Sequence, residues 1–213
     1  YVVGLGIEFV IAQWKKEEIQ EGFLVSGILI PMIVPVDCPL WMLALATGFV
    51  VIFVKEIFGG TGMNIFNVAL VTRAFLFFAY PTKMSGDSVW VSSESIFGLG
   101  KTVDGLTVAT PLGIASTGTA DQVPAFTMDM VTGLIPGSIA ETSVIAILIG
   151  AVILLITGIA SWKIMFSVFV GGAFMGIVFN QFGPDTAMAH MPWYEHLALG
   201  GFCFGAVFMA TDP

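Results

Sequence analysis

Few residues in this chain have side chains that could take part in chemistry, and they stand out because nearly everything around them is apolar. The first group is Asp104 to Pro111, DGLTVATP. Asp and Gly favour a turn, Pro111 pushes Thr110 toward an extended backbone, and the small Ala109 leaves the Thr110 hydroxyl open. A hydroxyl held in this way suits covalent modification, and the same pattern also suits an ordinary loop turn. The second is Glu8, which interrupts the apolar run GLGIEFV. A carboxylate at the centre of a membrane helix costs about 2.5 to 3.5 kcal/mol on insertion scales, so Glu8 needs a partner or a function unless it lies near a helix end and reaches water.

The third group is KEIFGGTGMNIFN, Lys55 to Asn67. Its clustered glycines break a helix, with a new helix expected near Asn64. Asn64 and Asn67 are then i and i+3 on one face. Each carboxamide offers donors and an acceptor, which suits a heterocycle edge such as a flavin's pyrimidine ring and equally suits capping and cross-linking of helices. The phosphate-loop pattern G-x-x-x-x-G-K-[ST] is absent, which disfavours nucleotide triphosphates. Arg73, in mid-run, pairs inward or meets an anion: a phosphate, a carboxylate such as Glu56, or a helix C-terminus. His190 and His196 are separated by Pro192 and make no metal geometry. Cys38 and Cys203 lack C-x-x-C spacing, so neither a disulfide framework nor an iron-sulfur cluster is suggested. No catalytic residue and no metal ligand is expected.

The elements that carry these residues are those of a membrane protein. The chain has 213 residues, 57% hydrophobic and 10% charged, with a mean hydropathy of +0.97, far from the charge content of about a quarter usual in soluble domains. Much of the acid behind its net charge of -8 lies in one loop and describes a surface; nucleic acid is not an expected partner. Seven apolar runs cover 1–14, 22–35, 39–54, 65–80, 144–160, 164–182 and 197–210. Several are shorter than the roughly 20 residues that cross a bilayer, as in folds whose helices break near a central site. Residues 1–80 thus hold about four spans with the Gly-rich break at 59–62, residues 81–143 form a long polar loop, and residues 144–213 hold about three more spans. If the runs alternate, Lys15, Lys16, Lys55 and Lys163 share the cytoplasmic side. The 81–143 loop, with six acids against Lys83 and Lys101, then lies outside, and Thr110 with it. The charged turn from Lys15 to Glu21 reads as a solvated loop. No signal peptide is visible, and an apolar run that starts at Tyr1 reads as a piece of a longer chain.

Two weaker patterns concern packing. GGAFMG at 171–176 and GGFCFG at 200–205 place small residues at helix-contact spacing. LALATGF at Leu43 and LALGGF at Leu197 form a faint internal echo, each heading an apolar run that ends in a polar break, as inverted repeats do.

Taken in order, KEIFGGTGMNIFN, RAFLFFAYP, DGLTVAT, LIPGSIAE, GIASWK and GGFCFGAVFMATDP resemble the B-subunit family of the Na+-translocating NADH:quinone oxidoreductase. The likeness runs along nearly all the chain, and the D-subunit of the Rnf electron-transfer complex is the near alternative. The resemblance implies FMN joined by a phosphoester to Thr110, the last residue of a D-x-x-[ST]-x-A-T pattern formed here by Asp104, Thr107, Ala109 and Thr110. Val108 stands where the family often has Gly. It implies riboflavin at Asn64 and Asn67, with Gly60 and Gly62 of the break beside them, and a quinone and sodium path at Glu8 with Gly4 and Gly6; Leu5 replaces one member of a glycine pair. It further implies an all-α, polytopic membrane bundle of broken helices on an inverted-repeat plan related to ammonium and urea transporters, in the bacterial inner membrane. Companion subunits, quinone, Na+ and a flavin transferase would be the partners. The competing expectation is a cofactor-free channel or transporter of small solutes, which has no use for an esterified loop threonine.

Overall fold

In a computed structural model, the described residues are 1–18, 21–84, 110–118, 121 and 123–212. Among them the chain is helical, with no strand, and it divides into two compact units, 1–85 and 86–212.

In the first unit, α1 (Val2–Lys15) buries Gly4, Glu8 and Ala12, a stripe at i, i+4 and i+8 that faces one way on a helix. Its start is tied down by the Tyr1 hydroxyl, which donates to the Leu24 carbonyl at 2.9 Å. Helix α2 (Phe23–Ile33) carries Pro31 in its interior, where the missing N–H weakens the last turn. Helix α3 (Leu40–Val50) runs on through a π-helical turn, Val51–Lys55, and a tight turn, Glu56–Phe58. The chain then breaks at Gly59, Gly60 and Gly62, all at positive φ, a conformation that only glycine adopts without penalty. Helix α4 (Val68–Ala79) follows, packed on α3 through Phe49 and Phe75, whose rings stack at 5.0 Å, and Trp41 and Tyr80 at 5.7 Å. A short turn, α5 (Pro81–Met84), ends the unit.

Among its described residues the second unit combines short elements with its apolar helices. The first short ones are α6 (Pro111–Thr117) and α7 (Met128–Thr132), to which α10 (Ala187–His190) returns later. Helices α8 (Val144–Ile156) and α9 (Trp162–Phe182) are apolar on nearly every side. Helix α9 leaves Trp162, Phe166, Phe174 and Phe182 61% to 81% exposed, a surface suited to lipid rather than water. Helix α11 (Trp193–Ala198) packs on α9 where Gly176 admits the Trp193 backbone and Gly172 admits Leu197 and Phe202. Helix α12 (Phe202–Phe204) continues into a second π-helical turn, Gly205–Met209. A small core of Ala115, Met130, Met191 and Leu199, with Val123 and Ile135 against it, joins α6 and α7 to the strip between α10 and α12.

Each of the seven apolar runs is helical. Among the described residues, two helices, 40–58 and 162–182, are long and apolar enough to cross a membrane, and α2, α4 and α8 are shorter apolar helices. Residues 81–143 are more than a connector, since α5, α6 and α7 lie within them. The Leu43 and Leu197 segments both lead into a π-helical turn, at 51–55 and 205–209.

Candidate functional site

Glu8 does not reach water. It is 3% exposed, and its partner is Lys55, 2% exposed, whose Nζ donates to Glu8 Oε1. The sequence pattern groups Lys55 with Lys15, Lys16 and Lys163 on the cytoplasmic side; the π-helical turn that ends with it buries its side chain within the fold. Its ammonium also lies 5.7 Å from the centre of the Phe23 ring, a favourable contact for a desolvated cation. Glu8 Oε2 is buried and has no hydrogen-bond partner among the described residues. A second pair lies at the ends of the same two helices. Lys15 Nζ donates to the Glu56 carbonyl at 2.9 Å and lies 3.4 Å from Glu56 Oε2, so Lys15 is not simply a solvated loop charge. The glycines expected beside Glu8 separate. Gly4 lies on the buried face under Phe23, whose ring would be 1.9 Å from an added Cβ, whereas Gly6 has nothing within 4 Å of that position. Gly6 instead lines an apolar cleft of about 440 Å³ with Val3, Ile7, Val10, Ile11 and Ile52.

The Gly-rich break corrects the expected placement of the two asparagines. The helix after it begins at Val68, so Asn64 precedes the helix and does not share a helical face with Asn67. Asn67 is the N-cap of α4, its Oδ1 accepting from the Leu70 N–H at 3.0 Å. Asn64 Oδ1 accepts from the Gly62 N–H at 3.2 Å, and its Nδ2 donates to the Phe66 carbonyl at 3.0 Å. The Gly60 N–H donates to the Lys55 carbonyl at 3.0 Å. These groups shape the turn from within. A carboxamide has two N–H donors and two lone pairs, so Asn64 keeps one of each for an outside ligand among the described residues, which fits one edge of a flavin's pyrimidine ring.

Thr110 is half-buried and is not an open loop residue: it is the N-cap of α6, with its Oγ1 accepting from the Gly113 N–H at 3.0 Å. Pro111 occupies the first helical position, where its lack of an N–H costs nothing. A Cβ on Gly113 would stand 3.0 Å from Thr110 Oγ1, so glycine keeps a methyl group away from that oxygen. Helix α6 is anchored at both ends, by Leu112 close to Gly200 and by the Ala187 N–H, which donates to the Gly118 carbonyl at 3.2 Å. Asp104, Thr107 and Ala109 lie outside the described residues.

Near α11, one buried group, Glu195, carries no signal in the sequence pattern. Glu195 is 3% exposed and its Oε2 has no partner among the described residues; burial raises its pKa above the ordinary carboxylate value. Burial lowers the pKa of His196, opposed by hydrogen bonds to the Met188 and Met191 backbone. His190 Nε2 meets Asp185 Oδ1 at 2.8 Å on the surface.

A family model described as the NQR2, RnfD, RnfE family matches residues 1–213. The chain is 50% identical over 216 residues to the B-subunit of the Na(+)-translocating NADH-quinone reductase of Chromohalobacter salexigens, with 100% of this chain and 50% of that protein covered. It is similar to the proteins of the same name from Azotobacter vinelandii, 46% identical over 217 residues, and Klebsiella pneumoniae, 48% over 221; each match covers 100% of this chain and 51% of the relative. The chain spans about half the length of these curated relatives.

Proposed function

The chain belongs to the NQR2, RnfD, RnfE family, and from that premise we propose that it is an electron-transferring part of the B-subunit of a Na+-translocating NADH:quinone oxidoreductase. It carries FMN esterified to Thr110 and riboflavin at the Asn64 and Asn67 turn, and it serves quinone near Glu8. The names of the relatives favour this B-subunit over the Rnf D-subunit. The flavins, when bound, supply the redox chemistry, and the protein supplies position and electrostatics.

The observation that carries this reading is the setting of Thr110. Its oxygen sits at a capped helix start where Gly113 keeps a methyl group away from it, and α6 is packed through the fully buried Ala115. A group attached to Thr110 is thereby held at a fixed place, which electron transfer needs and a pore does not. At the break, the positive-φ glycines let the chain turn tightly, and the half-buried Asn64 that braces the turn keeps one donor and one acceptor beyond the bonds it makes there. Asp104 and Thr107 complete the pattern that a flavin transferase reads. Glu8 and the apolar cleft beside Gly6 lie on different faces of α1. Glu8 serves an ion, and the cleft accepts an apolar quinone tail.

In the bacterial inner membrane, 81–143 lies on the outer face and Lys15, Lys16, Lys55 and Lys163 lie toward the cytoplasmic side. The matching π-helical turns at 51–55 and 205–209 support two inverted halves of the ammonium and urea transporter type. In-gel fluorescence of the denatured complex under ultraviolet light tests the covalent flavin. A fluorescent band at the position of this polypeptide is expected; a dark one overturns the assignment.

A further inference from the structure

Four charged groups alternate along the seam between α1 and the end of α3: Glu8, Lys55, Glu56 and Lys15. The inner pair is dry, at 3% and 2% exposure. In the outer pair the side chains are 34% exposed for Lys15 and 13% for Glu56. The inner pair is also incomplete. Lys55 takes only one oxygen of Glu8, and Oε2, buried beside it, has no partner among the described residues. A carboxylate removed from water holds its charge only while a cation is at hand, and the four-carbon stem of lysine makes its ammonium a movable cation. Glu56, the next residue along the chain, can take that ammonium if Lys15, already partly in water, lets go.

We propose that Lys55 is the resident cation of a monovalent metal-ion site at Glu8, and that Na+ binds there by displacing the Lys55 ammonium toward Glu56. This rests on the assignment of Glu8 to the ion path. The charge count makes the exchange exclusive. One carboxylate is neutralised by one positive charge, so Glu8 is paired with Lys55 or with Na+, and two cations would leave a net charge in a dry site. Displacement leaves every acid paired: Na+ on Glu8 with both oxygens open to it, Lys55 on Glu56, and Lys15 released to solvent. The Phe23 ring beside the Lys55 ammonium steadies the resident state. Lys55 thereby sets the sodium concentration at which the site fills, because a site occupied by its own competitor has an apparent affinity reduced by the fraction of time it stands open.

The test uses the purified whole complex, with quinone reduction followed across a NaCl titration in which choline chloride holds ionic strength constant. Lys55→Met removes the competitor, and the half-saturating sodium concentration is expected to fall about tenfold if Lys55 leaves the site open about a tenth of the time. Lys55→Arg, whose rigid fork can hold both carboxylate oxygens, is expected to raise it. Thermal stability gives a second readout: sodium over choline should stabilise Lys55→Met, and the Glu8→Gln, Lys55→Met double variant should lose that effect. If Glu8→Gln changes the sodium dependence but Lys55→Met leaves half-saturation unchanged or raised, the exchange is overturned and the Glu8 assignment stands. If Glu8→Gln leaves the sodium dependence unchanged, that assignment falls. Should Lys55→Met fail to assemble in any salt, an unchanged half-saturation in Lys55→Arg overturns the exchange.

Discussion

Replacing Thr110 by Asn separates the two tasks that its oxygen performs. The Thr110 hydroxyl caps α6 through the Gly113 N–H at 3.0 Å, and in the proposed function it is also the ester oxygen. Asn caps at least as well as Thr, whereas Ala loses about 1 kcal/mol at such a position. The other end of the helix is held separately, by the Gly118 N–H on the Ile114 carbonyl at 2.8 Å, the Ala187 N–H on the Gly118 carbonyl and the burial of Ala115, so loss of the cap opens the first turn. A loss of about 1 kcal/mol raises the opened population about fivefold, since about 1.4 kcal/mol is tenfold. Thr110→Ala should therefore abolish the fluorescent band and speed hydrogen exchange at amides 113–117 about fivefold. Thr110→Asn should abolish the band and leave exchange near wild type. The readouts are in-gel fluorescence and exchange mass spectrometry on the complex. A fluorescent band in either variant, or rapid exchange in Thr110→Asn, would refute the reasoning.

Asn64→Leu combined with Asn67→Ser, which keeps a cap on α4, should remove extractable riboflavin while the covalent band persists; normal riboflavin content after extraction would rule the site out. Gly4→Ala drives a Cβ into the Phe23 ring and should cost about 1 to 3 kcal/mol as overpacking, read as lost thermal stability of the complex. Gly6→Ala meets nothing and should stay within about 0.5 kcal/mol. Burial raises the pKa of Glu195, so the folded state favours its protonated form. That contribution is complete below the ordinary carboxylate pKa and lost as pH rises through the raised value. Glu195→Gln should therefore slow thermal inactivation at about pH 8 and lose its advantage as pH falls toward about 4; an advantage that grows with acid would contradict the burial argument.

The helices were legible because apolar runs in so hydrophobic a chain have few alternatives, and the break at Gly59 to Gly62 because clustered glycines leave a helix little to gain. Element ends were less legible. Asn64 and Asn67 are both reasonable N-caps, and local sequence does not say which one starts α4. Thr110 carried a readable signal, an N-cap residue before proline at the first helical position, hidden by the length of the polar stretch around it. The Glu8 and Lys55 pair joins residues 47 apart, and no local pattern foretells it. Lys55 sits at the end of an apolar run before a break, which is also where a loop lysine sits; only the π-helical turn at 51–55 turns it inward.

The central claim is that Thr110 carries FMN, and the mass of one peptide tests it most directly. Trypsin should release the segment Thr102–Lys163 from the purified complex, and fragmentation should place a mass equal to esterified FMN on Thr110. An unmodified peptide, or the added mass on Thr107 instead, would contradict the account.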